Sequence, residues 1–148
     1  MKQKECKCSI CENGPEATSK FEQEMMAKYG WYVHMVQDPN YPLGINYHTH
    51  GLDHTYKVMD IQIVYPLPSD IAMNLFHECV GYIDHHGFIE ENVGIDKIIR
   101  NYKCKFLKVQ ESGRDVHRMI IPDKDGNLGL DASGNFKDQH KDISYLYN

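Results

Sequence analysis

Lys57-Val58-Met59-Asp60-Ile61-Gln62-Ile63-Val64-Tyr65-Pro66-Leu67-Pro68-Ser69 holds the change of periodicity on which the fold turns. Met59, Ile61, Ile63 and Tyr65 fall on one side of an extended chain, while Asp60 and Gln62 fall on the other. That two-residue repeat predicts a strand over 57–65 with one apolar face and one wet or functional face. Pro66 and Pro68 end it, because proline has no N–H to offer a ladder. From Ser69, which stands at a capping position, the repeat becomes helical. Ala72, Leu75, Phe76, Cys79, Val80 and Ile83 form a single apolar stripe that runs to about His86, and Gly87 supplies the stop.

Upstream, Ser19 with Glu22 makes a capping-box pattern, and Phe21, Met25 and Tyr29 follow at helical spacing up to Gly30. Trp31, Val33 and Met35 then alternate with Tyr32, His34 and Val36, which predicts a strand. Asp38-Pro39-Asn40 and Pro42 form a loop, and Ile45 to His50 resumes extended structure. Downstream, residues 88–101 read equally as a short helix or a loop. Tyr102 to Val109 is a strand with Cys104 and Phe106 facing the same way. Glu111-Ser112-Gly113-Arg114 is a turn, and Val116 to Ile121 is the last strand. The tail from Pro122 is rich in Gly, Asp and Asn, and Tyr145, Leu146 and Tyr147 re-anchor its end. The joins are too short for regular parallel crossovers. The expectation is therefore an α+β single domain over 16–148: a mainly antiparallel or mixed sheet, two principal helices, and an irregular Cys-rich arm over 1–15.

A chain of 148 residues, 41% apolar and 25% charged, can bury one core and has the balance of a globular protein. Its net charge of -5 argues against a nucleic-acid partner, which would need a basic face. The basic residues between Lys97 and Lys108 are flanked by acidic ones and read as a solvated surface. No apolar run reaches the ~20 residues of a membrane span. The start lacks the apolar core of a signal peptide, so a cytoplasmic location is expected, with no membrane partner. A homo-oligomer is left open.

Several short motifs come in a recognisable order: Cys8-x-x-Cys11, a helix leading to Gly30-Trp31, His48-Thr49-His50-Gly51-Leu52, and the turn Pro122-Asp123-Lys124-Asp125-Gly126. In order and spacing they resemble the bacterial domain family of unknown function DUF4262, over most of the chain. Two segments depart from the family pattern. Val58-Met59-Asp60-Ile61 stands where the family tends to have His-Pro-Glu-Leu, and Leu128-Gly129-Leu130 replaces an aromatic Pro-Trp. The resemblance implies a fold and a domain boundary, and it brings no activity with it.

Two clusters carry metal-competent chemistry. Cys6, Cys8 and Cys11 lie within one hexapeptide, and thiolates so spaced on a flexible arm can wrap one zinc ion (Zn2+). Ligation would also fasten a polar arm that has too little apolar content to fold alone. An idle reduced arm and a redox pair are the alternatives, although the redox motif usually opens a helix in a βαβ unit that is absent here. The second cluster is Tyr47-His48-Thr49-His50-Gly51-Leu52-Asp53-His54. His48 and His50, two apart on a strand, project from one face and can chelate a borderline metal. His54 could join from the following turn, with Asp53 and Asp60 orienting the rings. Tetrahedral zinc wants four donors and the arm offers three, so His50, with His48 as fallback, is expected to complete the set. Gly51 would let another backbone approach closely there. Cys79 and Cys104 fall on apolar faces and read as buried, unpaired thiols. Asp123-x-Asp125-Gly126-Asn127 lacks the later glycine and glutamate of a calcium loop and reads as a turn. Two functions follow: a metal-binding domain, or a non-catalytic protein-interaction module without metal. No motif decides whether the chain is an enzyme.

Overall fold

The computed structural model describes residues 20–143. In chain order these form α1 (Lys20–Tyr29), β1 (Tyr32–Gln37), β2 (Ile45–His50), the single turn α2 (Leu52–Thr55), β3 (Asp60–Ile63), α3 (Ser69–His86), β4 (Ile95–Ile99), β5 (Tyr102–Glu111), β6 (Arg114–Ile120) and a 3-10 helix over Gly134–His140. The six strands make one mixed sheet in the order β1-β2-β3-β6-β5-β4. All neighbours are antiparallel except β3 and β6, which are parallel and joined by the long excursion through α3, β4 and β5. The α+β expectation holds. The arm with Cys6, Cys8 and Cys11, the cap residue Ser19 and the terminal Tyr145, Leu146 and Tyr147 lie outside the described residues.

The apolar stripe of α3 covers one face of the sheet. Ala72, Phe76, Cys79, Val80 and Ile83 are buried against Ile61, Ile63, Cys104, Phe106 and Met119. Full burial of such side chains contributes roughly 1.5–3 kcal/mol each, so this contact dominates the stability of the domain. Cys79 and Cys104 are both free and buried, as their faces require. Trp31 seals one end of this core, its ring 4.8 Å from that of His77 on α3. The β5–β6 hairpin turns through Ser112 at φ 49° and Gly113 at φ 80°. Two successive positive φ values are what a two-residue hairpin with the sheet's right-handed twist demands.

Four local readings change. The strand expected over 57–65 is only Asp60–Ile63, because Lys57 turns the chain at φ 61° and Tyr65 already belongs to the bend before α3. Ser69 is the first residue of α3 rather than its cap. The cap position is Pro68, whose carbonyl accepts from the Ala72 N–H at 3.0 Å without side-chain help. Residues 88–101 contain a strand. β4 spaces its apolar residues Ile95 and Ile98 by three, and its register against β5 shifts between Ile95 and Ile99, so strand alternation is lost from the sequence. Finally, α1 forms as expected but buries none of its residues, and Phe21 is 64% exposed.

The second face of the sheet is different in kind. A small apolar cluster of Tyr41, Val64 and Ile143, joined by Val36, covers one end. The rest is largely polar and buried, with Val116 and Ile120 flanking Arg118 on β6. Arg118, 1% exposed, anchors the tail to this face through Nε to Gln62 Oε1 (2.7 Å) and Nη1 to the carbonyls of Gln139 (2.9 Å) and Lys141 (2.7 Å). Gln139 completes the anchor by accepting from Ile121 N and donating to Ile121 O. Asp123 organises the turn that follows β6, accepting from the N–H groups of Asp125, Asn127 and Ser133 and from the Asn127 side chain. That is turn chemistry, and it engages both carboxylate oxygens.

Candidate metal centre

Strand register lines up four polar side chains straight across the second face. His34 on β1 pairs with His48 on β2, His48 with Gln62 on β3, and Gln62 with Arg118 on β6. His50 stands two residues beyond His48 on the same side and pairs with Tyr32, whose ring stacks on its own at 5.2 Å and 22°. The three imidazoles therefore converge. Ring centroids are 5.3 Å apart for His34 and His48, 4.9 Å for His48 and His50, and 6.2 Å for His34 and His50. One ring nitrogen from each lies within 4.8 Å of the others. Nitrogens bound at ~2.0–2.1 Å to a tetrahedral ion stand about 3.3 Å apart, so modest ring rotations would close these three on one ion. His48 is buried, and His34 and His50 are half-buried, so the set combines a fixed base with accessible edges.

The surroundings orient the His48 ring. Its Nδ1 is 3.3 Å from Asn46 Oδ1 and 3.8 Å from Glu111 Oε1. Both neighbours are acceptors, so the proton belongs on Nδ1 and the lone pair on Nε2, the arrangement in which a histidine can ligate. Glu111 comes from β5, with β3 and β6 between it and β2, so the sheet must curl to bring it there. Arg114 holds it in place, with Nε on Glu111 Oε2 at 2.9 Å, Nη1 on Asp60 Oδ2 at 2.8 Å and Nη2 on Thr49 O at 2.9 Å. Burial pushes Glu111 up, but the His48 and His50 rings and the Arg114 guanidinium outweigh it and hold the carboxyl below its ordinary range. Asp60 goes the other way. Burial raises it more than Arg114, Thr49 and Leu52 N lower it. A cleft of about 540 Å³ opens beside this network, lined by Asp53, Lys57, Asp60, Gln110 and Arg114 among others.

The expected site residues divide cleanly. His48 and His50 are brought together as their spacing required, and Gly51 does admit a backbone. At φ 104° it lies so close to β1 that a Cβ there would sit 2.5 Å from Gly30 O. Cys6, Cys8 and Cys11 lie outside the described residues. His54 is exposed on α2 and stands apart from the cluster, and Asp53 accepts from the His54 N–H. Asp60 contacts Thr49, Leu52 and Arg114 and orients no histidine. The carboxylate beside His48 is Glu111, and the third imidazole is His34. His34 shares a strand face with Tyr32 and Val36, but only the β1–β2 register reveals that it pairs with His48.

Among curated proteins and among solved structures nothing matches the chain. A family model does match, over residues 25–121, and it bears the description "Domain of unknown function (DUF4262)". The matched stretch begins in α1 and ends just past β6, so it takes in all six strands, α3 and every residue of the histidine cluster. The chain belongs to the DUF4262 family.

Proposed function

We propose that this domain binds one transition-metal ion of the zinc type at His34, His48 and His50. The observation behind this reading is the convergence of three imidazole nitrogens within 4.8 Å from two paired strands. Imidazole suits zinc and its borderline neighbours, whereas calcium and magnesium prefer oxygen. A cluster held by sheet register is pre-organised, and the Asn46 and Glu111 oxygens beside Nδ1 of His48 favour the ligating tautomer.

Three imidazoles leave a tetrahedral ion one position. At most one of Cys6, Cys8 and Cys11 would then complete this centre. The expected set of three cysteines and one histidine becomes either a single shared thiolate or a separate site on the arm. Elemental analysis of protein purified without a histidine tag tests the reading. About one equivalent of zinc per chain, lost in His50→Ala, supports it, and metal-free wild-type protein that takes up none on titration refutes it. Replacing Cys6, Cys8 and Cys11 together by serine separates the arrangements: metal retained at the histidines there places the arm outside the centre. Clean apo protein would favour the interaction module, for which the exposed Phe21, Met26 and Tyr29 of α1 are the available surface.

A further inference from the structure

We infer that the fourth position of the histidine centre takes an external oxygen-donor anion, such as hydroxide or a substrate carboxylate, positioned by the side-chain amide of Gln62. The inference rests on the metal reading above and goes beyond it by separating a ligand-accepting centre from a closed structural one.

Gln62 is the argument. It is fully buried, with 0% exposure, and stands in register between His48 on one side and Arg118 on the other. Its orientation is settled by chemistry: Arg118 Nε can only donate, so the atom it meets at 2.7 Å is the amide oxygen. The amide NH2 is therefore turned away from Arg118. On the opposite side in register lies His48, whose Cβ should be about 4.5–5.5 Å from that of Gln62 in an antiparallel pair. That NH2 has no acceptor among the described residues. A buried donor without a partner is rare and costly, and such a group calls for an unseen acceptor. An amide nitrogen does not ligate metals. It can donate to an oxygen that does.

Charge points the same way. The buried and part-buried ionised groups around the row, Arg114 and Arg118 against Asp60 and Glu111, sum to zero. A divalent ion brings the sum to plus two, and a single anionic ligand halves that excess. A neutral fourth donor would leave it whole, which is unfavourable in a buried site. Gln62 thus occupies the place of a hydrogen-bond donor aimed at where negative charge sits on the ligand, as in sites that stabilise a metal-bound oxyanion.

The test uses the full chain loaded with cobalt(II) and titrated with formate and with acetate, followed by visible absorption. The expected result is a spectrum without a thiolate-to-cobalt charge-transfer band, and bands that shift on saturable anion binding. Gln62→Glu keeps the oxygen that receives Arg118 and replaces the donor by an acceptor. Gln62→Met removes the donor without adding charge. Both should keep one metal per chain and lose at least tenfold in anion affinity. A cysteine charge-transfer band that His50→Ala abolishes, no anion response with metal bound, or wild-type anion affinity in either metal-loaded variant would overturn the inference. Failure of the wild type to bind cobalt at all would instead overturn the metal reading on which it rests.

Discussion

Arg118→Met removes the cation that ties three separate parts of the second face together. Its guanidinium donates to Gln62 Oε1, Gln139 O and Lys141 O at 2.7–2.9 Å, and it is 1% exposed. Without it, two buried acceptors and one part-buried one lose their donor, at ~1–3 kcal/mol for each buried group. Two terms offset part of that. Methionine keeps much of the apolar volume, and the wild-type charge is itself disfavoured, since burial pulls the Arg118 pKa down to about 10. Taking the low end for each acceptor and allowing for these offsets, the variant should lose about 2–3 kcal/mol. For a domain of this size that corresponds to a fall in Tm of roughly 5–15 °C. Urea denaturation followed by far-ultraviolet circular dichroism measures it, with the slope m unchanged if both proteins unfold in one step. Arg118→Lys, which keeps the charge but can serve fewer acceptors, should fall between the two. A loss below ~0.5 kcal/mol, the range of ordinary surface substitutions, would refute the claim that Arg118 fastens the tail to the sheet.

Other outcomes are equally definite. Peptide-resolved alkylation of the native protein should leave Cys79 and Cys104 unmodified. Burial pushes Cys104 up to about 12 and Cys79 higher than its ordinary value, and rapid labelling of either would contradict their place in the core. Cys79→Ser should destabilise by on the order of 1–3 kcal/mol by placing a hydroxyl beside Met119 Sδ, now 3.7 Å from the thiol. Gly51→Ala should destabilise by at least ~2 kcal/mol, because alanine strains at φ 104° and its Cβ would meet Gly30 O. A thermal melt matching wild type would show that β1 and β2 can shift freely. Asp123, held to about 2 by Ser133 N–H first and by Asn127 and Asp125 besides, adds stability that is complete above its ordinary value of 3.8 and fades as pH falls toward 2. The Tm deficit of Asp123→Asn should accordingly shrink across that window, and a constant deficit would contradict the assignment.

The elements whose apolar repeat matched one regular geometry were legible from sequence. α3 falls where periodicity put it and β1 within one residue of it, with Cys79 and Cys104 buried on the faces assigned to them. β4 was not legible, because Ile95 and Ile98 obey neither a two-residue nor a clean helical repeat across a register shift. The site shows the same division. His48 and His50 are linked by spacing within one strand, which sequence states directly. His34 and Glu111 join them through pairing between strands and through the curl of the sheet, and neither is encoded in local spacing. Asp60 and Asp53 were close in sequence to the histidines yet point into other bonds, since Thr49, Leu52 N and Arg114 compete for Asp60.

Zinc affinity of tag-free protein measured by competition with a chromogenic chelator, for wild type, His34→Ala and His54→Ala, tests the central claim most directly. The two histidines differ in one respect that matters: His34 joins His48 and His50 across the β1–β2 register, and His54 stands outside the cluster. About one zinc per chain is expected in wild type and His54→Ala with equal affinity, and a loss of tenfold or more in His34→Ala with the fold intact. Unchanged zinc binding in His34→Ala would contradict a three-histidine centre.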